Sequence, residues 1–189
     1  AHDLANLDRP RSAIGFIVAG LKARRDRDLA PFTILTCDNL PMNGRMVSKV
    51  VNAFAREVNL SLADWIDANA GFPCTMVDRI TPATTAQDVE ALAASTGYLD
   101  RAAVVHEPFR QWVIETGFTN GHPNWAAAGA QFVSDVEQHE LMKLRCLNGT
   151  HSALAYLGYL AGHETISDTV ADTPFELLCN RLWYDEILP

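Results

Sequence analysis

Lys143, Asn148 and His151 stand five and three residues apart, with Glu140 ahead of them, in the stretch SDVEQHELMKLRCLNGTHSALAYLGYLAG at 134–162. A second asparagine, Asn39, follows the run FTILTC at 32–37. These residue types suit proton transfer at an alcohol. A lysine ammonium, ordinarily near about 10.4, becomes an efficient base at neutral pH once a cleft lowers it to roughly 7–8, a change of about 3–5 kcal/mol. Two carboxamides can donate N–H bonds to an alkoxide oxygen, whose charge is largest near the transition state. A histidine can bond a neighbouring substrate hydroxyl. Together they fit metal-independent oxidation of a secondary alcohol, with hydride passing to a nicotinamide.

Positioning these groups requires a helix and a sheet edge. Residues 134–162 read as one long helix. Ser134 and Glu137 have capping-box spacing, Leu141, Leu144, Leu147, Leu154 and Leu157 recur at helical intervals, and Gly162 suits the C-cap. At about 100° per residue, Glu140, Lys143, Asn148 and His151 fall within an arc of about 140°. Earlier in the chain, Ser12 caps an expected helix to about Arg25, with Ile14, Ile17, Val18 and Leu21 inward. Leu29-Ala30-Pro31 ends it. The continuous β-prone run at 32–37 is then expected as a strand buried on both faces of a parallel sheet. Helix, short loop and buried strand make the rhythm of a doubly wound α/β domain, whose ligands sit beyond the carboxyl ends of strands. Asn39 falls there. Asn43-Gly44 reads as a turn into a helix over 45–58, followed by a helix at 62–69, an extended segment at 75–82, a helix at 85–95 and a second extended run through Trp112-Val113-Ile114. Composition changes near residue 130, dividing the chain into a mixed α/β part at 1–130 and a helical part at 131–189.

Of the 189 residues, 48% are hydrophobic and 20% charged, as in an ordinary globular protein. The net charge of −8 argues against a nucleic-acid or anionic membrane surface. No apolar run reaches the length of a membrane span and no signal peptide opens the sequence, which predicts a cytoplasmic protein. Cys37, Cys74, Cys146 and Cys179 are scattered and are expected as buried free thiols. Neither HExxH nor a tight His/Cys cluster occurs, so no metal is expected.

Each candidate also has a structural reading. Lys143 could be solvated, Asn148-Gly149 a helix break, and His151 a hydrogen-bonded core histidine. Asn39 could form an Asx-turn or a cap, Asp78-Arg79 an ion pair, and Glu140 a surface i, i+3 partner of Lys143.

Four stretches bear on the choice: FTILTCDNLPMNG at 32–44, FPCTMVDRITP at 72–82, EPFRQWVIE at 107–115 and ELMKLRCLNGTHSALAYLGYLAG at 140–162. In type, order and spacing they resemble the polyol-specific long-chain dehydrogenases, the mannitol 2-dehydrogenase and fructuronate reductase family. The resemblance implies the second half of a Rossmann-type nucleotide-binding domain followed by the start of a mostly helical substrate domain. It implies zinc-independent hydride transfer between NAD or NADP and a polyol or sugar acid, with mannitol and fructose expected first and fructuronate/mannonate or another polyol as alternatives. Lys143 would then be the general base in oxidation and the acid in reduction. Asn39 and Asn148 would hold the oxyanion, His151 would orient substrate, and Glu140 would lie on the proton path. Val77 and Asp78 match the segment lining the substrate and cofactor cleft.

The sequence departs from the family pattern in three respects. Members are much longer, and the matching stretches cover their middle, so the rest of a longer chain is an expected partner; the start at Ala1, without methionine, agrees. No GxGxxG occurs, which removes the expected pyrophosphate cradle and leaves a non-catalytic binding or structural remnant as the alternative. Cys74 replaces an expected asparagine near the proposed cleft, where it could alter substrate choice, and Thr150 replaces a serine.

Overall fold

The computed structural model describes residues 2–189, and they form two compact units, one ending at Val136 and the other spanning Glu137–Pro189. No helix among the described residues is long and apolar enough to cross a membrane.

The first unit opens with the short helix α1 (His2–Ala5) and with α2 (Ala13–Arg25). Ser12 caps α2 as its sequence predicts, accepting from the Gly15 N–H. Asp3 reinforces this end, its carboxylate accepting from the Arg11 and Ser12 N–H groups and from the Ser12 hydroxyl. Bonds from Ser12 and His2 hold the Asp3 carboxyl well below its ordinary pKa. Helices α3 (Asn43–Val58) and α4 (Leu60–Asn69) follow. Val18 and Leu21 of α2, Val51 and Ala55 of α3, and Leu62, Ala63 and Ile66 of α4 form one buried cluster with Ile34. Helical periodicity places these residues inward.

The run at 32–37 differs from its expected form. It has no ladder partner among the described residues and is not a strand. Its polar backbone is met piecemeal: Ile34 N–H donates to the Gly71 carbonyl and Thr75 Oγ1 donates to the Thr36 carbonyl, while Asn120 Nδ2 donates to the Pro31 carbonyl just ahead of the run. High β-propensity makes a segment ready to pair, but a strand exists only where consecutive residues find a neighbour's N–H and C=O groups.

The sheet consists of β1 (Thr75–Asp78), β2 (Gln111–Glu115) and β3 (Gln131–Val133), in that spatial order. β1 and β2 run antiparallel with Met76 opposite Val113, and β2 and β3 run parallel with Ile114 opposite Phe132. The expected parallel arrangement is therefore a mixed one. The connection from 79 to 110 is long enough for either direction, so strand pattern alone does not decide it. It carries α5 (Ala86–Thr96), held by a capping box between Thr85 and Asp88. Cys74, Met76, Val113 and Val136 form a second buried cluster on the sheet.

The second unit is helical. α6 (Glu137–Met142) passes into a π-wound segment, Lys143–Gly149, and then into α7 (Thr150–Ala161), which ends at Gly162 in the left-handed conformation. Ser134 lies ahead of the cap position, because the helix begins only at Glu137, so the predicted capping box does not start it. α8 (Ile166–Ala171) and α9 (Thr173–Arg181) follow, with a final π-wound turn at Leu182–Ile187. Gly158 of α7 lies so close to Thr169 of α8 that a Cβ there would fall 2.1 Å from Thr169 Oγ1. Trp183 Nε1 donates to Thr150 Oγ1 at 2.7 Å, tying the last turn back to α7.

Candidate active site

The helical residues read from the sequence lie on one unbroken rod. Gly149 has helical φ −62° and ψ −48°, so Asn148-Gly149 does not break the helix. What changes there is the winding. An α-helix separates Lys143 and Asn148 by about 140° around its axis. An i→i+5 turn advances each residue by only roughly 80–90°, which reduces that separation to roughly 40–90°. The π-wound segment therefore draws the lysine and the asparagine toward one face. Both are half-buried, Glu140 is buried, and His151 is exposed. Exposure removes the core reading of His151, and burial removes the surface-pair reading of Glu140.

In the first unit, Asn39 is exposed in the loop after the 32–37 run, and Val77 and Asp78 are half-buried at the end of β1. The loop and the strand are joined by Asn43, whose Asn-Gly pair reads as a turn in the sequence. Asn43 is 1% exposed at the start of α3. Its Nδ2 donates to the Asp38 carbonyl at 2.9 Å and to the Thr75 carbonyl at 3.0 Å, and its Oδ1 accepts from the Thr75 N–H at 2.9 Å. Gly44 permits this approach: a Cβ there would lie 2.5 Å from the carbonyl oxygens of Phe72 and Pro73.

A charged cluster lies behind the same strand. Arg45 Nη1 contacts Glu115 Oε1 and Oε2 at 3.0 and 2.9 Å and Cys74 Sγ at 2.7 Å, and Cys74 N–H donates to Glu115 Oε2. Burial alone would raise the Glu115 carboxyl, but bonds from Arg45 and from the Cys74 N–H outweigh it, leaving the carboxyl below its ordinary pKa. The Glu115 carboxylate in turn pushes Arg45 above its ordinary value. Cys74 is thus a fully buried thiol facing the Arg45–Glu115 ion pair. Cys37, expected as a buried thiol, is instead exposed. Arg79 does not pair with Asp78; it donates to the Phe109 and Pro108 carbonyls instead. Nothing in the sequence marked Asn43 or Glu115, because Thr75 lies 32 residues from Asn43 and Arg45 lies 70 residues from Glu115.

Among the described residues no three His, Cys, Asp or Glu side chains gather as a metal would require. Asn39, Val77 and Asp78 offer a carboxamide, an apolar side chain and a carboxylate, and no GxGxxG loop occurs in the sequence to cradle a pyrophosphate.

An α/β unit with a tethered asparagine loop is thus followed along the chain by a helical unit carrying Lys143 and Asn148. Residues 6–127 match the Mannitol dehydrogenase Rossmann domain and residues 135–189 the Mannitol dehydrogenase C-terminal domain, and the chain belongs to the mannitol dehydrogenase family. It is 50% identical over 188 residues to D-mannonate oxidoreductase of Escherichia coli K12, covering 100% of this chain and 39% of that protein. It is 44% identical over 190 residues to mannitol 2-dehydrogenase of Neosartorya fischeri, covering 99% of this chain and 38% of the relative. A crystal structure of D-sorbitol dehydrogenase in substrate-free form superposes with a TM-score of 0.93 at 37% identity, over 100% of this chain and 39% of that one. The Pseudomonas fluorescens mannitol 2-dehydrogenase ternary complex with NAD and D-mannitol superposes with a TM-score of 0.87 at 43% identity, over 100% and 38%. The chain thus spans about two fifths of the length of these relatives.

Proposed function

We propose that the protein carrying this chain transfers hydride between NAD or NADP and the carbinol carbon of a polyol, with D-mannitol and D-fructose as the first substrate pair. Lys143 takes the hydroxyl proton in oxidation and returns it in reduction. The carboxamides of Asn148 and Asn39 donate to the oxygen as it gains charge, and His151 orients the neighbouring hydroxyls. Glu140, one turn before Lys143, relays the proton, while Val77 and Asp78 line the cleft. When bound, the nicotinamide accepts the hydride. The observation that carries this reading is the π-wound turn, which brings a half-buried lysine and a half-buried carboxamide toward one helix face. π-turns occur often at functional sites.

The test is Lys143→Ala in the full-length holoenzyme. Turnover should fall by about 10²–10⁴-fold, the usual contribution of a general acid/base, while NADH binding measured by fluorescence stays within about twofold. Near wild-type turnover would sink the mechanism. Failure of the wild-type protein to bind NADH would favour a non-catalytic remnant.

The 50% identity to D-mannonate oxidoreductase supports a second reading, a sugar acid in place of the polyol. Mannitol, sorbitol, arabinitol and mannonate, each assayed with NAD and with NADP, separate the two by kcat/KM.

A further inference from the structure

We propose that Asn43 is a positioning residue that sets Asn39 for oxyanion binding, an inference that rests on the functional reading above. The Asn43 side chain contacts four acceptors: the carbonyls of Asp38 at 2.9 Å, Thr75 at 3.0 Å and Thr36 at 3.4 Å, and Thr75 Oγ1 at 3.2 Å. A carboxamide nitrogen has two hydrogens, so the bonds to Asp38 and Thr75 are the two it can fully make. Its oxygen is occupied by the Thr75 N–H.

One buried side chain therefore ties the carbonyl immediately before Asn39 to the strand that continues into Val77 and Asp78. Asp38's carbonyl also receives the Leu40 N–H at 2.9 Å, closing a tight turn around Asn39. Thr75 Oγ1 donates to the Thr36 carbonyl at 2.6 Å and anchors the start of the same loop. The 32–37 run has no ladder to hold its end, so these side-chain bonds replace one. Asn39 is exposed while both of its flanks are fastened. A group that must meet a developing charge within hydrogen-bond distance gains from such fixing, and a displacement near 1 Å costs about 10²-fold in rate.

Asn43→Asp isolates the donor half of the tether. It keeps the shape and the acceptor for Thr75 N–H, but aims an oxygen at two carbonyls and releases Asp38 from Thr75. In the full-length holoenzyme we expect kcat to fall by about 10- to 100-fold, with KM for the polyol within about threefold. In an Asn39→Ala background the same change should cost less than about twofold more, because its route to the chemistry is already lost.

A general fold defect would instead multiply with Asn39→Ala, and that result overturns the proposal. So does a folded Asn43→Asp protein whose kcat stays within about twofold of wild type. If Asn43→Asp does not fold, Thr75→Val replaces it; this removes the hydroxyl bond to Thr36 and the hydroxyl's contact with Asn43 Nδ2 while leaving the backbone bonds of Thr75 to Asn43, and it must show a smaller loss of kcat with the same dependence on Asn39, or the proposal fails. A wild-type kcat in Asn39→Ala alone overturns the functional reading itself. An Asn39 effect without an Asn43 effect overturns only the positioning role.

Discussion

The carboxamide of Asn43 pairs with the peptide of Thr75 as a neighbouring strand residue would, accepting its N–H at 2.9 Å and donating to its C=O at 3.0 Å. β1 thereby has β2 on one side and a side-chain amide at the start of its other edge, so those backbone groups are satisfied without a further strand. The helix bearing Asn43 must approach closely for this.

Gly44 makes that approach possible. A Cβ at this position would meet the carbonyl oxygens of Phe72 and Pro73 at 2.5 Å, and both belong to rigid backbone. Gly44→Ala should destabilise the protein by about 1–3 kcal/mol, the usual cost of overpacking, measured as a fall in Tm. An unchanged Tm would show that α3 shifts without loss.

Acid stability should depend on Glu115. Its carboxyl has a lower pKa in the folded protein than its ordinary value of 4.5. Its contribution is therefore fully present above that value and is lost as pH falls through the depressed folded pKa. Glu115→Gln should lower stability at neutral pH by about 1–2 kcal/mol, trimmed because Arg45 is half exposed, and should flatten the acid limb of Tm against pH below about 4.5. Parallel limbs in the two proteins would assign acid sensitivity to other groups.

The junction of α7 and α8 offers a third test. Gly158→Ala would place a Cβ 2.1 Å from Thr169 Oγ1 and 2.7 Å from its Cγ2. A loss of about 1–3 kcal/mol is expected, with partial recovery on adding Thr169→Ala, which removes both atoms. Full additivity in the double variant, read from thermal unfolding, would show that the two residues do not meet.

Gly149→Ala should act in the opposite direction. The residue already has helical φ and ψ, and a Cβ would meet only the Leu144 carbonyl, at 3.4 Å. Restricting the unfolded chain should then add about 0.4–1 kcal/mol of stability in urea unfolding. Destabilisation would indicate that the π-wound turn needs a glycine.

The elements legible in the sequence are those whose causes are local. Ser12 caps α2 and Gly162 ends α7 as predicted, because a cap is a bond between residues a few positions apart. Val18, Leu21, Val51 and Ile66 turn inward because helical periodicity places them there. The start of the long helix was less legible: Ser134 had the right type and spacing for a cap, yet winding begins at Glu137. β3 was not anticipated, since its three residues owe their extended form to β2 beside them.

For the candidate site, the sequence by itself supplied the residue types and their local setting: Lys143 and Asn148 on one helix, and Asn39 beyond the β-prone run at 32–37. Only the tertiary structure decided how those groups are held. Lys143 and Asn148 are drawn toward one face by a shift of the backbone ladder from i→i+4 to i→i+5, which leaves the apolar spacing unchanged. The 32–37 run remains unladdered because a strand needs a partner as well as propensity. Asn43 becomes the tether of the Asn39 loop through Thr75, 32 residues away. A side-chain bond across that distance has no signature in either segment, since the long-range packing that buries both groups creates it.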